Sequence, residues 1–354
     1  MRDRQQQKVG EQSVAIQSAN DTHYHAGTSE ARAYEIAEHV AVSYLERFER
    51  TAYLVAASRV DQLRTELIDR ISSLEQEHLK AFEEPDVQML ILEAQKGYAR
   101  SGSPEQKGTL VDLVAARCAV ETGSLRALAI NGAVEAVTKL SRKAIDTVTT
   151  VWLATRVKYL LMVDRSVLAS WAETNLNPFA GSLTGSNTIY ELLEATGCGA
   201  VSVLTSDLRE SLGKRYLGIF QSGFSLNEIS PEITSLHDSG VRIYVPTRYP
   251  AEDGKYQIAF TDNSFARKAL ESHGVSEDLI STFCSTMEAH LLPVDDIERI
   301  LRGAHPAWAG VLDEWTSTVA SNFRLSVVGN AIAHCRFTNV TGDPVDLSIW
   351  IPDS

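Results

Sequence analysis

The residues whose types and spacing best suit chemistry stand near the start of the chain. Gly10 to Gly27 reads GEQSVAIQSANDTHYHAG and ends in His23 and His25, with Asp21 beside them. In a strand, residues two apart share a face, so both imidazoles can turn toward one metal ion. The same parity argues against that role. Val14 and Ile16 must face inward, and if the pattern carries across the turn at Asn20-Asp21, Thr22 and Tyr24 also face in. Asp21, His23 and His25 then face out. Surface histidines outweigh an intermolecular metal site, and no cofactor is expected.

Other candidates weaken on inspection. The loop AGSLTGSN, residues 180–187, is rich in Gly and Ser and precedes a helix, an arrangement that lets backbone N–H groups reach a phosphate. It lacks the lysine of a P-loop and any G-x-G-x-x-G, so a linker is the stronger reading. Asp295, Asp296 and Glu298 open a helix in LLPVDDIERIL, where carboxylates complement the macrodipole. Glu252 and Asp253 read as solvated turn residues. Cys118, Cys198, Cys284 and Cys335 are far apart and form no C-x-x-C, which reads as reduced, mostly buried thiols rather than zinc ligands. Cys198, between Gly197 and Gly199, reads as a tight helix-to-strand turn. There is no G-x-S-x-G. No residue set names a reaction, and an enzyme is a weaker expectation than a binding protein.

Elements must position whatever function there is. Residues 1–28 alternate in period two and read as a short β tail, too small to fold alone. From Ser29, a good N-cap followed by Glu30, the period becomes helical, and no Pro or Gly interrupts it before Pro85. A single helix that long exceeds what compact domains use, so it either breaks near Arg59 or serves as a stalk. Its first half carries a broad apolar face (Tyr44, Leu45, Phe48, Tyr53, Leu54) that should be covered. Its second half, with Leu63, Leu67 and Ile71, is narrower and charged, closer to a coiled-coil seam. Residues 84–175 read as a helical bundle with breaks near Gly123 and Ser141. Residues 176–275 resemble a winged-helix unit, and residues 276–354 hold helices at 276–290, 293–302 and 307–321 and a last strand, Val345–Ile351.

Composition bounds the rest. At 354 residues, two or three domains are expected, and 44% hydrophobic residues permit a sizeable core. The net charge of −13 disfavours a non-specific nucleic-acid binder. The wing-like segment carries Arg242, Arg248 and Lys255, with Lys214 and Arg215 before it, yet residues 186–275 hold more acids than bases. Protein contact is therefore favoured over DNA there. The most apolar run, TVTTVWLATRVKYLLMV, is interrupted by Arg156 and Lys158 and reads as a buried core helix, not a membrane span. MRDRQQQKVGEQ is followed by no apolar h-region, so a cytoplasmic protein without membrane contact is expected.

GEQSVAIQSANDTHYHAG, SEARAYEIAEHVA, YELLEATGCGAVSV and the close VVGNAIAHCRF…DLSIWI resemble a bacterial protein family with a short polar β-repeat tail, a long following helix and a similar ending. The resemblance brings no catalytic residues. Similar tails on bacterial immune proteins imply an anti-phage or stress-response setting. The expected fold is mainly α: a helical bundle with a long N-terminal helix, small winged-helix-like α/β elements in the C-terminal half and a short β tail. The expected function is a bacterial, cytoplasmic, homo-oligomeric interaction protein, assembling through Val14, Ile16, Thr22, Tyr24, Leu63, Leu67 and Ile71 and meeting a further protein partner. The alternatives are a hydrolase or nuclease without a readable motif and a winged-helix nucleic-acid binder.

Overall fold

The computed structural model of the chain describes residues 30–72, 74, 76–183, 187–247 and 253–352. The β tail with Val14, Ile16, Thr22, Tyr24, His23 and His25 lies outside these residues, as do Ser29, Arg248, Glu252 and most of LTGSN. The fold is mainly α. The chain divides into two units, residues 1–55 and 56–354.

Helix α1 runs Glu30–Ser72, passing Arg59 without a break and ending well short of Glu84. At about 1.5 Å per residue its 43 residues span about 65 Å. A tighter 3-10 stretch, Gln76–Glu83, follows before Pro85 opens the next helix.

Within residues 56–354, short helices follow in close succession: α2 (Pro85–Ser101), α3 (Pro104–Cys118), α4 (Leu125–Val137) and α5 (Arg142–Thr155). Serines at 103, 124 and 141 each accept a backbone N–H from the first turn of α3, α4 and α5, which fixes where these helices begin. Then come α6 (Arg165–Trp171), α7 (Thr188–Ala195), β1 (Gly199–Val201), α8 (Leu208–Arg215), α9 (Pro231–Asp238), β2 (Tyr244–Pro246), β3 (Tyr256–Ile258) and α10 (Asn263–Ser272). The chain continues through α11 (Glu277–Ala289), α12 (Val294–Ala304), α13 (Pro306–Ser317), β4 (Phe323–Leu325) and α14 (Val327–Thr341).

Two apolar cores result. The larger draws on the second half of α1, on α2 to α8, and on α12 to α14; the smaller lies between Leu217 and Met287. Helix α5 is the core helix expected in TVTTVWLATRVKYLLMV, buried at every position from Ala144 to Ala154, though it stops at Thr155 ahead of Arg156. Its threonines survive burial because each hydroxyl donates: Thr149 to Ile145 O at 3.0 Å, Thr147 to Ser182 O at 2.8 Å. Helix α14 packs on α3, α4 and α5 and is buried from Gly329 to Phe337. The Arg336 guanidinium there donates to Asp146 Oδ1 at 2.8 Å, both groups being almost fully covered.

In the segment read as winged-helix-like, α9, the antiparallel pair β2–β3 and α10 follow one another in the expected order. Strand β1 lies outside that pair and runs antiparallel to β4, with Gly199 opposite Leu325. One expectation needs correction: the last strand is not a strand. Residues Leu347–Ile349 form a 3-10 turn whose N-cap, Asp346, accepts from Ser348 N. Leu347 and Ile351, four apart, are buried while Ile349 is 66% exposed, so the alternation in DLSIWI is the spacing of a helical turn.

The glycines flanking Cys198 explain its setting. Gly197 has φ of +76°, the left-handed conformation that ends α7, and a Cβ on Gly199 would overlap Arg324 O across the β1–β4 pair. Cys198 is fully buried at that turn.

Candidate functional site

The largest exposed apolar feature among the described residues is the part of α1 from Tyr34 to Val55. Tyr34, Ile36, Val40, Tyr44, Leu45, Phe48, Leu54 and Val55 are all exposed, Phe48 by 61% and Leu45 by 66%. At 3.6 residues per turn these eight fall within about half of the helix circumference. Val42 and Tyr53 are exposed too, on the opposite side. Tyr44 and Phe48 stack one turn apart, ring centroids 5.9 Å from each other, so the surface is partly preformed.

Charge is distributed unevenly around this face. Arg32, Arg47 and Arg50 lie along one edge of the apolar half, while Glu38 and Glu49 lie along the other, with Glu35 and Glu46 farther round. Arg32 pairs with Glu35 at 2.9 Å, both well exposed.

The expected seam farther along α1 lies elsewhere. Leu63 and Leu67 are 2% and 6% exposed and belong to the larger core, and Ile71 packs against it. Their expected role toward another chain is corrected: this chain already covers them. Arg59, where a break was anticipated, donates from Nη1 to Ala99 O and Arg100 O at 2.9 and 3.0 Å, tying down the last carbonyls of α2.

The thiols are unsuited to nucleophilic work. All four cysteines are buried and free, and burial pushes the Cys118 thiol up to about 11 and those of Cys198, Cys284 and Cys335 upward as well. Cys335 adjoins His334, but that ring is itself desolvated, held by a 2.5 Å bond between Nε2 and Val345 O, with its pKa lowered chiefly by burial. Among the described residues two histidines meet carboxylates: His290 with Glu228 and His305 with Glu173, each at 2.7 Å. His305 Nδ1 accepts from Ala307 N, so its Nε2–H donates to Glu173 while the residue caps α13. No group of three or more His, Cys, Asp or Glu is gathered closely enough to hold a metal ion among the described residues.

Asp295 and Asp296 sit in the first turn of α12 as expected of a helix start. Glu298 does more. It accepts from Arg209 Nη1 and Arg302 Nε, both at 2.7 Å, in a chain of ion pairs from Asp207 through Arg209, Glu298 and Arg302 to Asp313. These pairs hold the Asp207, Glu298 and Asp313 carboxyls below their usual range, hydrogen bonds from the arginines being the main cause. The network lines a cavity of about 460 Å³ between α8, α12 and α13. At the loop first weighed as an anion site, a smaller cavity of about 240 Å³ is lined by Arg142, Lys143, Asp146 and residues 178–182. No single segment predicts either cavity, because their walls come from stretches far apart in sequence.

No described helix is long and apolar enough to cross a membrane. No curated protein and no solved structure matches the chain. Its recognisable kinship is at the level of family: a family model described as ":-like" matches residues 27–351, most of the chain, and the chain belongs to that family.

Proposed function

We propose that the protein is a homo-oligomeric interaction protein whose copies associate through the apolar half of α1 between Tyr34 and Val55. The observation that supports this is the exposed apolar face itself, which is too continuous to be scattered surface residues. Half the circumference of a helix about 10–12 Å across, over a length of about 35 Å, presents roughly 550–650 Å², approaching the ~800 Å² per partner of a standard interface. A face half a circumference wide also exceeds a two-stranded seam, which favours a bundle in which each helix meets more than one neighbour.

The occupant is a second copy because the charges suit one. In parallel, in-register copies the two edges of neighbouring faces are opposite edges, so Arg47 and Arg50 approach Glu49 of the next chain and Arg32 lies nearest the level of Glu38. Antiparallel copies would set like charges together. A lipid surface suits it poorly, since interfacial helices carry Lys and Arg on the polar face and this one carries Glu35, Glu46, Glu38 and Glu49. The β tail, Val14, Ile16, Thr22 and Tyr24 included, would add intermolecular strands at the start of the same assembly. A bacterial anti-phage role, with the body presented to a protein partner, fits such an assembly.

Sedimentation equilibrium of the full chain tests the reading. The expected mass is a multiple of 38.9 kDa, falling to that value in Leu45→Glu/Phe48→Glu. Reversing one edge, Arg47→Glu/Arg50→Glu, should weaken association, and mixing with Glu49→Arg should restore it as a mixed complex. A monomeric wild-type chain at tens of micromolar, or an unchanged mass in the first variant, would rule the proposal out.

A further inference from the structure

Beside the ion-paired cavity lies a second one of about 260 Å³, lined by Thr155, Arg156, Ser206, Ser211, Arg215, Trp315, Phe323 and Arg324 among others. Its lining contains three arginines and no Asp or Glu, in a chain that carries 46 acids against 33 bases. None of the three is paired with a carboxylate among the described residues. Arg215 donates to main-chain oxygens, from Nη1 to Ala154 O at 2.8 Å and Val157 O at 3.1 Å and from Nη2 to Thr155 O at 3.0 Å, which closes the end of α5. Arg324, on β4, donates to Leu204 O at 3.3 Å. Arg156 is exposed at the C-cap of α5.

Like charges facing one cavity repel, and the repulsion is relieved by an anion placed between them. Burial, the larger cause, and the nearby Arg156 both lower the pKa of Arg215, and a guanidinium in a protein keeps its proton. Guanidinium groups recognise phosphate oxygens through paired N–H donors, and the hydroxyl of Ser211 adds a smaller donor at the same wall. The two cavities share Ser206, Leu208 and Trp315, and the larger one has its arginines neutralised by Asp207, Glu298 and Asp313. Charge therefore divides the combined space into a cationic end and a polar end that needs no anion.

We infer that this paired cavity binds a small phosphorylated molecule, with its phosphoryl group among Arg156, Arg215 and Arg324 and its uncharged part beside Trp315 and Thr316. The site lies wholly within residues 56–354 and stands apart from assembly through α1.

Isothermal titration of the full chain with pyrophosphate, adenosine diphosphate and adenosine tests it. Both phosphates should bind and adenosine should not. Arg156→Ala and Arg324→Ala should each weaken pyrophosphate binding at least about tenfold, as loss of a bidentate charged contact does, with unchanged circular dichroism and melting temperature. Arg215 is left in place because it also closes α5. The inference fails if neither phosphate binds at about 1 mM, if adenosine binds as tightly as its diphosphate, or if both variants bind as the wild type does.

Discussion

The two parts of α1 share one helical period and meet opposite fates. From Tyr34 to Val55 nearly every large apolar residue is exposed, Phe48 and Leu54 by about 60%. From Val60 to Ile71 the same spacing puts Leu63 and Leu67 into the body's core. Periodicity reports that a helix has an apolar face; it does not report what covers that face. The richer face invites the assumption that the chain's own body covers it. Here the poorer one is covered by the body and the richer one is exposed.

That contrast can be broken most forcefully inside the body. Asp146→Ala leaves the Arg336 guanidinium buried without its partner, and loss of one member of such a pair costs about 3–5 kcal/mol. Urea unfolding should show a fall of that size; a shift under about 1 kcal/mol would mean water reaches Arg336. Leu63→Ala should cost about 2–5 kcal/mol by the same measurement, as deletions in a packed core do, while the solution mass stays that of the wild type.

A smaller effect separates the body by pH. His334 is buried near the Trp152 and Trp350 rings, its Nε2 bound to Val345 O, and its folded pKa is lowered from 6.5. Below pH 6.5 the unfolded chain takes up a proton that the folded chain resists. Stability is therefore full above pH 6.5 and declines as pH falls, by up to about 1.4 kcal/mol per pH unit from this one group. His334→Gln, which can still donate to Val345 O, should flatten that part of the profile between pH 6.5 and 5. An unchanged slope would assign the acid sensitivity to other groups. The smallest effect belongs to the exposed stretch: Leu54→Ala should move the body's unfolding free energy by no more than about 0.5 kcal/mol while reducing association, the reverse of Leu63→Ala.

Much of the helical framework was legible because its punctuation is local. Ser103 before Pro104, Ser141 before α5 and Asp295-Asp296 in α12 announce starts that need no tertiary knowledge. DLSIWI misled because three alternating apolar residues fit both a strand and a helical turn with one exposed member; the turn is also held by Trp350 Nε1 donating to Arg156 O, far back in the chain. The β1–β4 pairing was illegible for the same reason: nothing near Gly199 names Leu325. The arginine-lined cavity was the least legible. Arg156, Arg215 and Arg324 stand in segments separated by whole helices, and Lys214 and Arg215 read as basic residues ahead of a wing, whereas Arg215 ties down the end of α5.

The position of α14 in the chain has a consequence for biosynthesis. Its cradle of α3, α4 and α5 emerges first, and residues 156–326 must be translated before the helix that fills it. At about 5–20 residues per second the cradle waits on the order of 10–30 s. Through that interval Trp152 lacks the cover of His334 and Phe337. A nascent chain stalled there presents a hydrophobic slot of the kind chaperones bind, so its yield should depend on ribosome-associated holding capacity more than on the stability of the finished fold.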